Sequence, residues 1–180
     1  PGNGLRTRAF LKIQDGCDHR CAFCVTTIAR GQGRSLEASE LVDRVRELLD
    51  DGYREVVLTG VHLGSYGHDL GQRQGLRTLV KRMLEETPVP RLRLSSLEPW
   101  DLDSEFFDLF SSSRLQPHVH LPLQSGCDAT LRRMARRITT SEFARLVATA
   151  RSAVPNLAVS TDVIVGFPGE TDREFEESLA

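Results

Sequence analysis

No apolar run in the 180 residues is long enough to cross a membrane, and nothing in them directs export, so a cytoplasmic location is the expectation. Cysteine is scarce: four in a chain of this length are too few for a disulfide-stapled secreted scaffold. Lysine is scarcer still. Lys12 and Lys81 are the only two among 23 basic residues, so arginine is the default cation here and no single arginine is a strong signal. The net charge of -2 removes any global electrostatic argument for nucleic-acid binding. Neither Gly-x-Gly-x-x-Gly nor a P-loop lysine occurs, which weakens a phosphate-binding reading of the glycines. Internal repeats and low-complexity segments are missing too, and the chain reads as one domain. Its hydrophobic fraction of 39% and charged fraction of 27% are ordinary for a protein that buries a real core.

Against this spareness, three of the four cysteines crowd into Cys17-Asp18-His19-Arg20-Cys21-Ala22-Phe23-Cys24, directly after the apolar run from Phe10 to Ile13. An iron–sulfur cube takes one thiolate per iron, so three ligands leave one iron free for another molecule. A structural zinc site wants four protein ligands, and His19 or Cys127 would have to complete it. The spacing favours the open cluster and leaves zinc as the alternative.

Short apolar runs alternate with amphipathic segments along the chain, the pattern of a parallel sheet with crossover helices. Strands are expected at Ala9 to Gln14, Glu55 to Thr59, Arg91 to Ser95, His118 to Leu123 and Leu157 to Val165. Between the first two, Leu41, Val42, Val45, Leu48 and Leu49 repeat at helical spacing, with Ser39 as N-cap and Gly52 just past the end. Further helices are expected near Leu76 to Glu86, Asp101 to Phe110, Asp128 to Arg136 and Ser141 to Ala153, and one starting at Asp172, capped by Thr171 or by Asp172 itself. Arg132, Arg133, Arg136 and Arg137 would form two i, i+4 pairs, either a solvated face or an anion-binding stripe. The distinctive strings all fall at the carboxyl ends of predicted strands, where open barrels gather their reactive groups.

The pattern Cys-x-x-x-Cys-x-aromatic-Cys, filled by Cys17, Cys21, Phe23 and Cys24, resembles the signature of the radical S-adenosylmethionine (SAM) enzymes. The strings Lys12 to Cys17 and Ile28 to Gly31 look like the methylthiotransferase branch of that superfamily. Within it, Leu58-Thr59-Gly60-Val61-His62-Leu63-Gly64-Ser65-Tyr66-Gly67 is most similar to the tRNA threonylcarbamoyladenosine methylthiotransferases.

The resemblance implies an α/β fold, a partial (βα) barrel of parallel strands, and two cofactors, a [4Fe-4S] cluster on Cys17, Cys21 and Cys24 and SAM chelating the free iron. It implies a 5′-deoxyadenosyl radical that abstracts hydrogen from a substrate carbon, followed by transfer of a methylthio group to C2 of N6-threonylcarbamoyladenosine near the anticodon of a tRNA. An electron donor such as flavodoxin or ferredoxin is implied with it. Among SAM contacts, Phe23 and backbone near Val25 would lie beside adenine. Thr59 and Gly60 stand where many members carry a Gly-Gly-Glu string, here without its acid. Ser95 and Glu98 would reach ribose or amine, Gln124 and Ser125 the same pocket, Arg136 the SAM carboxylate, and Gly166 the adenine edge. His62 is read as a surface histidine in preference to a proton donor or RNA contact, and Cys127 as a small helix-start residue.

The abrupt end after Asp172 to Ala180 leads to the expectation that residues 9–180 are part of a larger protein, stopping before a sixth strand. Residues 1–8 read as a linker. In the family, an amino-terminal domain with a second [4Fe-4S] cluster and a carboxy-terminal RNA-binding domain would flank this region. An aspartate of a ribosomal protein as substrate, and a non-catalytic zinc module gripping RNA, are the competing readings.

Overall fold

The computed structural model describes residues 7–180; most of the predicted linker, residues 1–6, lies outside the described residues, and Arg8 already belongs to the first strand. Strands β1 (Arg8–Asp15), β3 (Glu55–Gly60) and β4 (Arg91–Leu94) pair in parallel, with the two-residue β2 (Arg34–Ser35) added antiparallel to the outer edge of β1. A second parallel pair, β5 (His118–His120) and β6 (Ala158–Ser160), continues the arc. Isolated parallel bridges, Leu92 to Leu115 and Ser96 to His120, join the two sheets into one curled half-barrel.

Six α-helices connect or follow the strands among the described residues. They are α1 (Thr26–Arg30), α2 (Ala38–Asp50), α3 (Gly75–Glu86), α4 (Asp128–Arg133), α5 (Thr140–Ala153) and α6 (Asp172–Leu179). Alternation along the strands explains which face α2 and α3 cover. Leu11 and Ile13 of β1, Val56 and Leu58 of β3, and Leu92 and Leu94 of β4 point outward into one buried cluster with Leu41, Val45, Leu79, Val80 and Met83 of α2 and α3. The other parity of each strand lines the concave face, where Phe10 is 66% exposed and Glu55 holds Arg8, Arg91 and Arg93 through N–O distances of 2.8, 3.1 and 3.0 Å. Burial alone raises the Glu55 pKa, but hydrogen bonds from Arg93 and Arg91 and the charge of Arg8 outweigh it and hold the carboxyl below its ordinary value.

Several elements differ from the sequence-based expectation, each for a local reason. Helix α2 begins at Ala38 with Glu37 at its cap position, so Ser39 lies inside the first turn. The helix expected over Asp101 to Phe110 is two 3₁₀ segments, Pro99–Asp101 and Ser104–Ser111, because the Asp103 carboxylate accepts the Phe106 N–H at 2.8 Å and restarts the chain there. The long fifth strand shortens to Ala158–Ser160. The donors facing it are the N–H groups of Leu121 and Leu123: Leu121 bonds Ser160 O at 2.8 Å, but Leu123 bonds the Thr161 hydroxyl at 3.0 Å, and pairing resumes one residue on, from Gln124 to Asp162 O at 2.9 Å. Helix α4 stops at Arg133 and Ala135 takes a positive φ of 57°, so Arg136 and Arg137 leave the helical stripe. The cap expected at Thr171 is present as a full capping box with Glu174. No helix among the described residues is long and apolar enough to cross a membrane.

Candidate functional site

The site is built at the carboxyl ends of β1, β3, β4 and β5. One extra residue in β1 against β3, between Lys12 and Gln14, ends the regular ladder just before the cysteines. Gln14 is buried and spends its whole side-chain amide on this corner. It donates to the carbonyls of Gly16 at 2.8 Å and Asp15 at 3.1 Å, and accepts the His62 N–H at 2.9 Å. Gly16 then turns the chain at φ 76°, where a Cβ would overlap the Gln32 carbonyl. From there the cysteine loop is closed by Cys17 N–H to Gly31 O and Ala22 N–H to Met134 O, both 3.0 Å, and by the Thr27 hydroxyl to His19 O at 2.7 Å.

All three loop cysteines are free thiols at least partly open to solvent, whereas Cys127 is buried at the start of α4, as expected of a small helix-start residue. Two donors face the loop sulfurs: the His19 main-chain N–H stands 3.4 Å from Cys17 Sγ, and Arg136 Nη1 stands 4.0 Å from Cys21 Sγ. Burial pushes the Cys17 and Cys21 thiols above their ordinary pKa, and for Cys21 the Arg136 guanidinium pulls partly against it. Among the described residues, no three His, Cys, Asp or Glu side chains close around a point as a single metal ion requires. A lone zinc holds its thiolates at about 2.3 Å and so packs them together, whereas a four-iron cube takes one per iron and spreads them. The donor set, three thiols on one loop with hydrogen-bond donors behind them, fits the cube.

Around that loop the structure gathers most of the residues singled out from the sequence. Phe23 and Val25 stand exposed on the loop itself. Thr59 and Gly60 end β3, and Gly60 lies so close to Gln14 that a Cβ would sit 3.0 Å from its amide oxygen. Ser95 follows β4, its N–H bonded to Leu58 O at 3.0 Å. Glu98 and Arg136 meet each other: Arg136 Nη2 is 2.8 Å from Glu98 Oε2, its side chain is 1% exposed, and the same nitrogen donates to Pro122 O. The guanidinium carbon also lies 4.5 Å over the Trp100 ring. Gln124 takes a left-handed φ of 81° and bridges Val163.

One expected site residue is turned away from the site and another lies on an open turn. Ser125 is completely buried and its hydroxyl meets Ser178 of α6 at 3.2 Å and the Cys127 N–H at 3.2 Å, so it docks a helix and offers nothing to the site. Gly166 lies on an exposed turn, closed by its N–H to Glu170 Oε2 at 2.6 Å. His62 is not a surface residue: it is 5% exposed, and its Nε2 is 2.6 Å from Asp101 Oδ2. The sequence reading missed Gln14, Trp100 and Asp101 as parts of this site. Their position at strand ends was the available signal, but their partners lie up to 48 residues away.

The model of the radical SAM superfamily matches residues 11–180. The threonylcarbamoyladenosine tRNA methylthiotransferase MtaB of Bacillus subtilis is 42% identical over 174 residues, which are 96% of this chain and 39% of that protein. MtaB of Thermotoga maritima is likewise 42% identical, over 97% of this chain and 40% of the relative. The tRNA-2-methylthio-N(6)-dimethylallyladenosine synthase of Staphylococcus saprophyticus is 37% identical over 96% of the chain and 34% of its own length. The chain thus spans about two fifths or less of these curated relatives. In fold it is similar to the radical SAM methyltransferase TsrM of Kitasatospora setae, with a TM-score of 0.75 at 20% identity over 96% of this chain and 33% of that one. Methylornithine synthase (PylB) aligns with a TM-score of 0.64 at 17% identity, over 96% of this chain and 48% of that one.

Proposed function

Since the chain belongs to the radical SAM superfamily, whose cofactors are a [4Fe-4S] cluster and SAM, we propose that Cys17, Cys21 and Cys24 hold that cluster. We propose further that the chain serves an enzyme adding a methylthio group to C2 of N6-threonylcarbamoyladenosine in tRNA. The observation that carries the first part is the free three-thiol loop at the carboxyl end of β1. What supports the second is 42% identity to two MtaB proteins over nearly the whole chain. When bound, the cofactor pair supplies one-electron cleavage and hydrogen abstraction, chemistry that acid and base side chains cannot perform.

The chain's own residues supply placement. Phe23 and Val25, exposed on the loop, offer an apolar surface to a purine. Thr59 and Ser95 stand on the concave side of neighbouring strand ends, where small hydroxyls reach a ribose. Glu98, fixed by Arg136, presents its carboxylate for an ammonium group, and the buried Arg136 puts a positive charge behind Cys21 and favours its thiolate. The guanidinium is committed to Glu98 and Pro122, so a direct grip on the SAM carboxylate requires Glu98 to turn away. A tRNA substrate and a one-electron donor of the flavodoxin or ferredoxin type are the partners of this reading, which sets the protein in the cytoplasm.

The test is anaerobic reconstitution with iron and sulfide, followed by reductant and SAM. Release of 5′-deoxyadenosine is the expected result, and its absence from protein that carries an intact cluster contradicts the reading.

A further inference from the structure

Three strand-end loops converge behind the cysteines through a stack that the proposed function does not use. His62, after β3, has its main chain fixed on both sides: its N–H donates to Gln14 Oε1 at 2.9 Å and its carbonyl accepts the Ser65 hydroxyl at 2.8 Å. Its ring nitrogen meets Asp101, after β4, at 2.6 Å. Gly64 makes that approach possible, since a Cβ there would run into the Asp101 carboxylate. The His62 ring packs against the ring of His19, within the cysteine loop, at a centroid distance of 4.6 Å. The Trp100 ring also meets the His19 ring edge-on, at a centroid distance of 5.3 Å. His19 is thus held by its ring, and its main-chain N–H stands 3.4 Å from Cys17 Sγ.

The geometry points to His62 and Asp101 as positioning residues for the cysteine loop: the pair braces His19 so that its N–H stays aimed at the Cys17 sulfur, and this raises the reduction potential of the cluster the loop carries. The inference rests on the cluster reading of the three cysteines. An N–H dipole directed at a ligating sulfur stabilises the extra negative charge of the reduced form, and hydrogen bonds to sulfur are one of the levers that set such potentials. Asp101 fixes the orientation of the His62 ring, as a carboxylate behind an imidazole commonly does.

The experiment is an EPR-monitored redox titration of the reconstituted protein, with iron and sulfide counted beforehand. His62→Ala and Asp101→Ala are expected to keep the cluster while the ratio of reduced to oxidised cluster at a fixed potential falls about tenfold, about 59 mV for one electron. His62→Phe, which keeps a ring against His19, is expected to restore most of the shift. Unchanged midpoint and spectrum in both alanine variants overturn the inference, as does an equal fall in the Phe variant, which removes the ring contact from the explanation. Where an alanine variant takes up no cluster, Asp101→Asn carries the test, since it keeps the side chain's size without its charge; the same direction of shift is expected, and an unchanged midpoint refutes it. Wild-type protein that takes up no cluster refutes the cluster reading itself, which separates the two failures.

Discussion

Replacing Arg136 with methionine removes a buried cation and leaves the Glu98 carboxylate without its counter-charge. Breaking a fully buried pair by removing one partner costs about 3–5 kcal/mol. The Glu98 side chain keeps 25% of its exposure, so water recovers part of that, and the figure falls to about 2–3 kcal/mol. Loss of the guanidinium from above the Trp100 ring, 4.5 Å away, adds about 1 kcal/mol. A total of about 3–4 kcal/mol lowers the melting temperature of a chain this long by about 6–16 °C. The assay is urea unfolding of the metal-free protein, run as a double-mutant cycle with Glu98→Gln. The double variant is expected to recover at least about 1 kcal/mol over the sum of the single losses, because the neutral amide no longer needs the cation. A loss under about 1 kcal/mol in Arg136→Met, or strict additivity in the cycle, refutes the idea that the pair is coupled in a desolvated site.

Serine at Cys17, Cys21 or Cys24 is expected to abolish the brown iron–sulfur absorbance of the reconstituted protein, while serine at the buried Cys127 leaves it intact; visible absorption reads both. Gly16→Ala demands a positive φ of 76° and drives its Cβ into the Gln32 carbonyl. It is expected to cost more than about 1–2 kcal/mol and to lower iron retention on gel filtration. Because the Glu55 pKa is depressed in the fold, its contribution is complete above the ordinary carboxylate value near 4.5 and fades as pH drops through the folded value. Glu55→Gln should therefore destabilise at neutral pH, by about 1–3 kcal/mol, and progressively less as pH falls below the ordinary carboxylate value, as read by denaturant midpoints across a pH series. Glu174, whose pKa is held down to about 2 by the Arg133 hydrogen bond first and the Thr171 N–H second, ties α6 to α4. Protection factors for amides across Asp172–Leu179, taken against the intrinsic exchange rate at each pH, are expected to be constant above about pH 4.5 and to fall as pH drops toward about 2, and no such fall contradicts the assignment.

The parts of this molecule that could be read from the chain are those whose cause is local. The cysteine spacing lies within eight residues, and the strands β1, β3 and β4 announce themselves by apolar runs that need no partner to be recognised. The Thr171 capping box is equally self-contained. What was hidden depends on contacts far apart in sequence. His62 looked like a surface histidine because its partner Asp101 is 39 residues away, and the bare Gly64 that admits the contact gives no sign of it in sequence. Glu98 and Arg136 were each assigned to a ligand, yet the fold pairs them with each other. Ser125 was legible as a polar residue at a strand end but not as the dock for Ser178, 53 positions on. The two-residue β2 has no periodicity to read, and Ala135 carries no hint of the positive φ that ends α4.

The most direct measurement is the metal and sulfide content of protein reconstituted without oxygen, taken before and after SAM is added. The account predicts about four irons and four labile sulfides per chain, lost on replacing any of the three loop cysteines, with an EPR spectrum of the reduced cluster that changes when SAM binds. Zinc without sulfide, or a cluster spectrum indifferent to SAM, contradicts it.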